Sequence, residues 1–202
     1  MKVLRTLTAI SYPFLIFAGL DLVGPRALAL VVAVILITGG VFIPMRVSVA
    51  HVSWLMLAAA VLLGVAIVAG LLNDGRLFLF VPVLINGALL IAFGRTLVKG
   101  PSIVEVFARL RGRNLPEEEV LYCRLVTGIW CVVFVLNGAL TLALALYASL
   151  AWWTLYTGAL SYMLIGMVFA TELVYRYWRF RPYDGSITDP LFRRIFPPRG
   201  DG

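Results

Sequence analysis

Long apolar runs separated by short polar segments dominate the chain. Six of these runs are long enough to cross about 30 Å of hydrocarbon as helices. Open strands cannot satisfy their backbone groups in lipid, so the runs are predicted to be helical. We place the six spans at Thr6–Val23, Ala27–Ile43, Val52–Leu72, Leu77–Leu97, Glu118–Tyr147 and Trp152–Tyr177. The predicted fold is an all-α, polytopic transmembrane helical bundle of about six spans.

The composition supports the same class. Of the 202 residues, 62% are hydrophobic and 13% are charged, whereas a soluble domain is about half apolar and about a quarter charged. The mean hydropathy is +0.99. These values exclude a soluble enzyme, a disordered protein and a small disulfide scaffold. We expect a single transmembrane domain over residues 1–181 and a flexible cytoplasmic tail over residues 182–202.

The basic residues predict the orientation. The chain has 17 Lys and Arg against 10 Asp and Glu. If all six spans cross, fifteen of the basic residues lie on the side of the two termini, and only Arg26 and Arg76 lie on the other. Cytoplasmic loops carry the Lys and Arg excess, so the prediction is a multi-pass protein with both termini cytoplasmic. Topology and anionic lipid explain this excess better than nucleic acid, which we do not expect as a partner.

The connector between spans four and five carries helix signals. Ser102 precedes Glu105 by three residues, which is the spacing of a capping box. Glu105 and Arg109 have the spacing of an i,i+4 ion pair. On the other side, apolar residues recur at helical spacing, namely Ile103, Val106, Phe107 and Leu110. The pattern predicts a short amphipathic helix at the membrane interface.

Basic residues around this connector are candidates for interfacial lipid contact. They would lie near lipid phosphates if the helix rests on the inner leaflet. The set consists of Lys99, Arg109, Arg111 and Arg113. A docking site for a cytoplasmic partner is the alternative interpretation of the same segment.

Polar residues inside the spans form a candidate polar cavity. Asn86 falls near the middle of span four and Asn137 lies deep in span five, where polar side chains either hydrogen-bond across helices or line a cavity. Glu172 precedes Arg176 by one turn in span six, which favours an ion pair, although a buried acid is also a candidate proton carrier. Arg95 ends span four, where it snorkels to the interface or pairs with Glu172. The candidate residues are thus Asn86, Asn137, Arg95, Glu172 and Arg176.

The sequence contains no recognisable catalytic motif. His51 is the single histidine, and no His, Cys, Asp or Glu cluster has the spacing of metal ligands. A phosphate-binding glycine loop and a nucleophile elbow are also missing. We therefore assign no catalytic residue, no metal and no cofactor.

Several motifs in the second half resemble a known family. They are Asn73-Asp74, Gly87-Ala88-Leu89-Leu90, Lys99-Gly100-Pro101-Ser102-Ile103, Asn114-Leu115-Pro116, Trp130 with Phe134 one turn on, and Asn137. In order and spacing, residues Leu72–Arg181 resemble the intracellular septation protein A family of bacterial inner-membrane proteins. The chain departs from that pattern at Arg76–Phe80 and in its longer tail. It is even more similar to a septation protein A-like branch encoded near aryl-polyene or xanthomonadin-type pigment synthesis genes.

The resemblance implies a place in the bacterial inner membrane and a role in envelope biogenesis or lipid-linked polyene production. It implies no defined activity and supplies no catalytic residues. The leading hypothesis is a non-enzymatic scaffold whose partners are membrane lipids and envelope- or polyene-synthesis proteins, with an oligomer left open. The alternatives are a carrier or transporter of a lipid or lipid-linked intermediate, and an integral membrane acyl- or glycolipid-modifying enzyme.

Overall fold

The computed structural model describes residues 13–41, 49–110, 115–183, 185 and 188–198, with the backbone alone for 35–41 and 49–59. These residues form helices joined by turns, and no strand occurs among them. The all-α class is therefore confirmed. The helices are α1 Pro13–Leu22, α2 Gly24–Val41, α3 Val49–Leu72, a 3₁₀ segment Gly75–Phe80, α4 Val81–Val98, α5 Ile103–Arg109, α6 Glu117–Tyr147, α7 Leu150–Leu155, a π segment Tyr156–Leu160, α8 Ser161–Phe180 and α9 Asp189–Ile195.

Three continuous helical stretches are long and apolar enough to cross a membrane. They are Gly75–Val98, Glu117–Tyr147 and Leu150–Phe180, and they match predicted spans four, five and six to within a few residues. The first three predicted spans extend beyond the described residues, or into those with backbone alone. Their described parts include the shorter apolar helices Pro13–Leu22, Gly24–Val34 and Ala60–Leu72. The count of six crossings stays a prediction.

The apolar faces of these helices are largely uncovered by protein. Within the most apolar windows of the three long stretches, 22%, 22% and 17% of the residues are buried. Large apolar side chains such as Leu125, Met163 and Met167 are more than 60% exposed. A water-facing surface does not expose apolar area on this scale, so the chain has the character of a membrane protein.

Residues with left-handed backbone separate the helices. Gly24 has φ +77° at the junction of α1 and α2, and Gly100 has φ +92° between α4 and α5. Only glycine adopts these angles without a steric cost from Cβ. Asn73, with φ 52°, follows α3, and the Asp74 carboxylate then accepts from the Arg76 backbone N–H at 2.9 Å. Asn73 and Asp74 thus form the turn between α3 and the 3₁₀ segment.

The chain divides into two compact units. The first unit combines the described residues up to Ile85 with Gly138–Leu160. Its core contains Ile16, Leu28, Ala29, Ala66, Ala69, Phe78, Leu79 and Trp153. The Trp153 side chain is fully buried, and its indole N–H donates to the Leu79 carbonyl at 3.2 Å. This bond anchors the 3₁₀ segment within the unit.

The second unit comprises Asn86–Asn137 and the described residues from Ser161 onward. Its core is a hydrophobic cluster of Val126, Trp130 and Phe134, with Phe93 and Ile165 packed against it. An exposed ion pair joins Arg179 of α8 to Glu118 in the first turn of α6 at 3.1 Å. The predicted acidic first turn of this helix is confirmed, since Glu117, Glu118 and Glu119 all lie there.

The segment that follows α8 contains a short helix, α9. Residues 189–195 form this helix, and the Phe192 ring stacks on the Tyr177 ring with centroids 4.1 Å apart. The Tyr177 hydroxyl bonds the Thr188 hydroxyl at 2.9 Å and donates to the Asp189 carboxylate. The Pro- and Arg-rich composition does not reveal α9, because its packing partner lies on another helix.

Candidate functional site

A network of short-range bonds positions α5 beside α4 in the second unit. The Ser102 hydroxyl caps α5 by accepting from the Glu105 backbone N–H at 3.4 Å. The Thr96 hydroxyl accepts from the Ile103 backbone N–H at 3.1 Å and donates to the Phe93 carbonyl at 2.7 Å. The predicted helix start is confirmed. One threonine thereby ties the beginning of α5 to the end of α4.

The second unit contains a partly open cavity of about 700 Å³. Residues of α4, α5, α6 and α8 line it, and Pro182 follows at the end of α8. Most of the lining is aliphatic or aromatic: Leu89, Phe93, Val104, Phe107, Ala108, Val126, Trp130, Phe134, Ile165, Phe169, Ala170, Leu173, Tyr177 and Pro182. The two remaining residues, Glu172 and Arg176, carry charge. A cavity of this size and composition is typical of a site for a small apolar molecule.

Edge-to-face and tilted ring contacts build one wall of this cavity. The Trp130 ring lies 4.8 Å from the Phe169 ring and 5.7 Å from the Phe134 ring, centroid to centroid. Phe134 meets Phe93 edge to face at 5.0 Å. Such arrangements are the preferred geometries of aromatic pairs. Residues of α4, α6 and α8 therefore form this wall together.

The polar part of the cavity is an ion pair on α8. Both Arg176 Nε and Arg176 Nη2 approach Glu172 Oε1, at 2.8 Å and 2.6 Å. The guanidinium also lies over the Tyr122 ring, 5.6 Å from its centroid. The Glu172 and Arg176 side chains are 16% and 14% exposed, which leaves them reachable by a bound molecule. The predicted i,i+4 pair is confirmed.

Two other residues of the predicted polar cavity, Asn86 and Asn137, form a hydrogen bond with each other. Asn137 Nδ2 donates to Asn86 Oδ1 at 3.0 Å, and the Ser161 hydroxyl donates to Asn137 Oδ1 at 3.1 Å. All three residues are buried. Among the described residues that line the 700 Å³ cavity, neither asparagine appears. Of the two interpretations left open by the sequence, the interhelical hydrogen bond is the one observed.

The remaining predicted residues either do not line the cavity or lie outside the residues that the structure describes. Arg95 and Lys99 are exposed, and the Glu172 carboxylate pairs with Arg176, not Arg95. Arg111 and Arg113 lie outside the described residues, as does the side chain of His51. In the described part of the chain, no group of His, Cys, Asp and Glu could hold a metal ion.

Helix α5 has the predicted pairing but a different orientation from a simple amphipathic helix. The Arg109 guanidinium bonds Glu105 at 2.8 Å, yet Glu105 is only 7% exposed. Val106, Phe107 and Leu110 are exposed instead. Glu105 packs inward, whereas Val106 and Leu110 face outward with Arg109. This side of α5 presents apolar and basic groups together.

Sequence reasoning missed the aromatic wall as a site. Trp130 and Phe134 stood out in the sequence by their one-turn spacing, but only as part of a family resemblance. Phe93 and Phe169 lie far from them in sequence and carry no local signal.

Comparison with protein-family models, with curated proteins and with solved structures finds no match to this chain.

Proposed function

We propose that this protein binds a lipid-type apolar molecule within its membrane-embedded second unit. The observation that carries the proposal is the 700 Å³ cavity, whose aromatic wall ends at the Glu172–Arg176 ion pair. Apolar walls with a few fixed polar groups orient an amphiphile, because the chain is buried and the head is hydrogen-bonded. The carrier hypothesis thus has more support from geometry than the enzyme hypothesis.

The wider setting follows from the sequence. The charge distribution and the family resemblance support a multi-pass protein of the bacterial inner membrane with six spans and both termini cytoplasmic. In that setting the bound molecule belongs to envelope biogenesis or to assembly of a lipid-linked, aryl-polyene-type product. The protein holds or hands on this molecule without transforming it.

A scaffold role is the second candidate, and the outward side of α5 favours it. Val106, Phe107 and Leu110 are exposed next to Arg109. Apolar and basic residues together suit a helix at the interface of an anionic leaflet. In this proposal α5 is the interfacial helix between spans four and five. Capture of envelope-synthesis proteins in mild detergent supports the scaffold, and their absence from repeated preparations counts against it.

Filling the cavity tests the binding proposal. Ala170 lines the cavity, and its replacement by tryptophan would occupy much of the free space. Met167 lies one turn earlier on α8, is 62% exposed and is not among the described lining residues. Met167→Trp is therefore a matched control on the same helix.

Each protein is extracted from its own membrane in mild detergent, and bound lipids are identified by native mass spectrometry. We expect the wild type and Met167→Trp to retain a lipid-type molecule and Ala170→Trp to lose most of it. Equal retention by Ala170→Trp would show that the cavity is not the binding site. Recovery of no small molecule with any of the three proteins would also overturn the proposal.

A further inference from the structure

The Glu172–Arg176 ion pair in the cavity has no net charge, and not all of its hydrogen-bonding atoms take part in the pair. Glu172 Oε1 receives both guanidinium contacts, from Arg176 Nε at 2.8 Å and from Arg176 Nη2 at 2.6 Å. In the part of the chain that the structure describes, Glu172 Oε2 and Arg176 Nη1 have no hydrogen-bond partner. One acceptor and one donor of the pair are therefore available to a bound molecule.

This arrangement disfavours a charged head group. An anion that approaches Arg176 also approaches the Glu172 carboxylate, and like charges repel strongly where water is scarce. A cation meets the same obstacle from the guanidinium. A hydroxyl or a primary amide both donates and accepts, so it can bond to either Arg176 Nη1 or Glu172 Oε2 without breaking the pair.

The cavity volume limits the apolar part of the ligand. A methylene group is close in size to a water molecule, which occupies about 30 Å³ in the liquid. The volume of about 700 Å³ therefore holds roughly two dozen such groups. That is enough for one long acyl chain with a small head.

We infer that the cavity selects a single-chain lipid with an uncharged, hydroxyl- or amide-bearing head and rejects the anionic counterpart. Arg176 and Glu172 act as the specificity-determining residues, and the aromatic wall around Trp130 and Phe169 holds the chain. This inference rests on the proposed function, since it requires that the cavity binds a lipid.

The test uses two ligands that differ by one phosphate group. The purified full chain is titrated with 1-palmitoylglycerol and with 1-palmitoylglycerol 3-phosphate, and each affinity is measured by native mass spectrometry. We expect the wild type to bind the uncharged lipid at least tenfold more tightly. Glu172→Gln frees the Arg176 charge, so its preference should shift tenfold or more toward the phosphate.

Glu118→Gln is the matched control. Glu118 belongs to the exposed ion pair with Arg179 and does not appear among the described lining residues of the cavity. Its removal should leave the ratio of the two affinities unchanged. The double variant Glu172→Gln/Arg176→Gln lacks both charges and should still bind 1-palmitoylglycerol.

The results distinguish a failure of the head-group inference from a failure of the proposed lipid binding on which it rests. If the wild type binds both lipids equally, or if Glu172→Gln keeps the wild-type ratio, the head-group inference is wrong and lipid binding stands. If neither lipid binds the wild type, or if Ala170→Trp binds both as the wild type does, the proposed function itself fails. The wild-type ratio decides the inference even if Glu172→Gln does not fold.

Discussion

Asn137 of α6 donates a hydrogen bond to Asn86 of α4 at 3.0 Å, and the two residues are separated by 51 positions in the chain. Both side chains are buried, and the Ser161 hydroxyl of α8 donates to the Asn137 amide oxygen. The three helices of the second unit are thus joined by amide and hydroxyl groups. Their hydrogen bonds hold in place the helices that line the neighbouring cavity.

Replacing Asn137 with leucine should destabilise the second unit. The substitution removes both hydrogen bonds, and interhelical bonds of this type contribute about 1 kcal/mol each in membranes. We expect a loss of about 1–2 kcal/mol in unfolding by SDS titration. Leu136→Ala is the control, because Leu136 is 64% exposed on the same helix. Equal stability of the two variants would contradict a structural role for the asparagine pair.

Tyr177→Phe should release α9 from the end of α8. The phenol group bonds both Thr188 and Asp189, and a bond to a charged group contributes about 1.5–3 kcal/mol. Trypsin should then cut after Arg193 or Arg194 several-fold faster. Tyr175→Phe provides the comparison, since the Tyr175 hydroxyl makes no hydrogen bond to the described residues. If trypsin treats the two variants alike, the hydroxyl does not hold α9.

Trp153→Phe should lower the stability of the first unit, whereas Trp152→Phe should not. Trp153 is fully buried and donates to the Leu79 carbonyl, whereas Trp152 is 63% exposed. Loss of the indole N–H removes a buried hydrogen bond, at a cost of about 0.5–1.5 kcal/mol. Thermal unfolding in detergent should show a lower Tm for Trp153→Phe than for Trp152→Phe. A matching Tm would argue against the indole as an anchor of the 3₁₀ segment.

Ser102→Ala should loosen α5. The serine hydroxyl caps the helix, and loss of an N-cap costs about 1 kcal/mol. Hydrogen exchange of the amides in Ile103–Arg109 should become several-fold faster, with little change in α6. Ser102→Thr retains a capping hydroxyl and should keep slow exchange. Fast exchange in the threonine variant would show that another property of Ser102 maintains the helix.

Reporter fusions test the predicted orientation. Alkaline phosphatase, which is active only outside the cytoplasm, should be inactive when fused after Lys99 and active when fused after Ser149. The charge asymmetry is the physical reason, since basic loops are retained in the cytoplasm. The opposite pattern would mean that the basic loops face outward, and equal activity at both sites would contradict the predicted crossing between them, span five.

Close helix contacts illustrate the limits of spacing rules. Four-residue spacing of small residues predicts contact at Ala66 and Gly70, and there a side chain added at Gly70 would lie 3.2 Å from the Ala29 methyl group. The same spacing at Gly64 and Gly166 gives no neighbour within 4 Å among the described residues. A small residue permits close approach, but it does not bring a second helix to that face.

The sequence by itself determined the features that depend on local geometry. Apolar run length predicted spans four to six, and helical periodicity predicted the Ser102 cap and the ion pairs Glu105–Arg109 and Glu172–Arg176. These pairs lie within one turn, so the helix alone brings them together. Tertiary structure decided which distant residues meet: Asn86 with Asn137, Trp130 with Phe169, and Tyr177 with α9. Such contacts depend on how helices pack across long chain separations, and no local spacing encodes that packing.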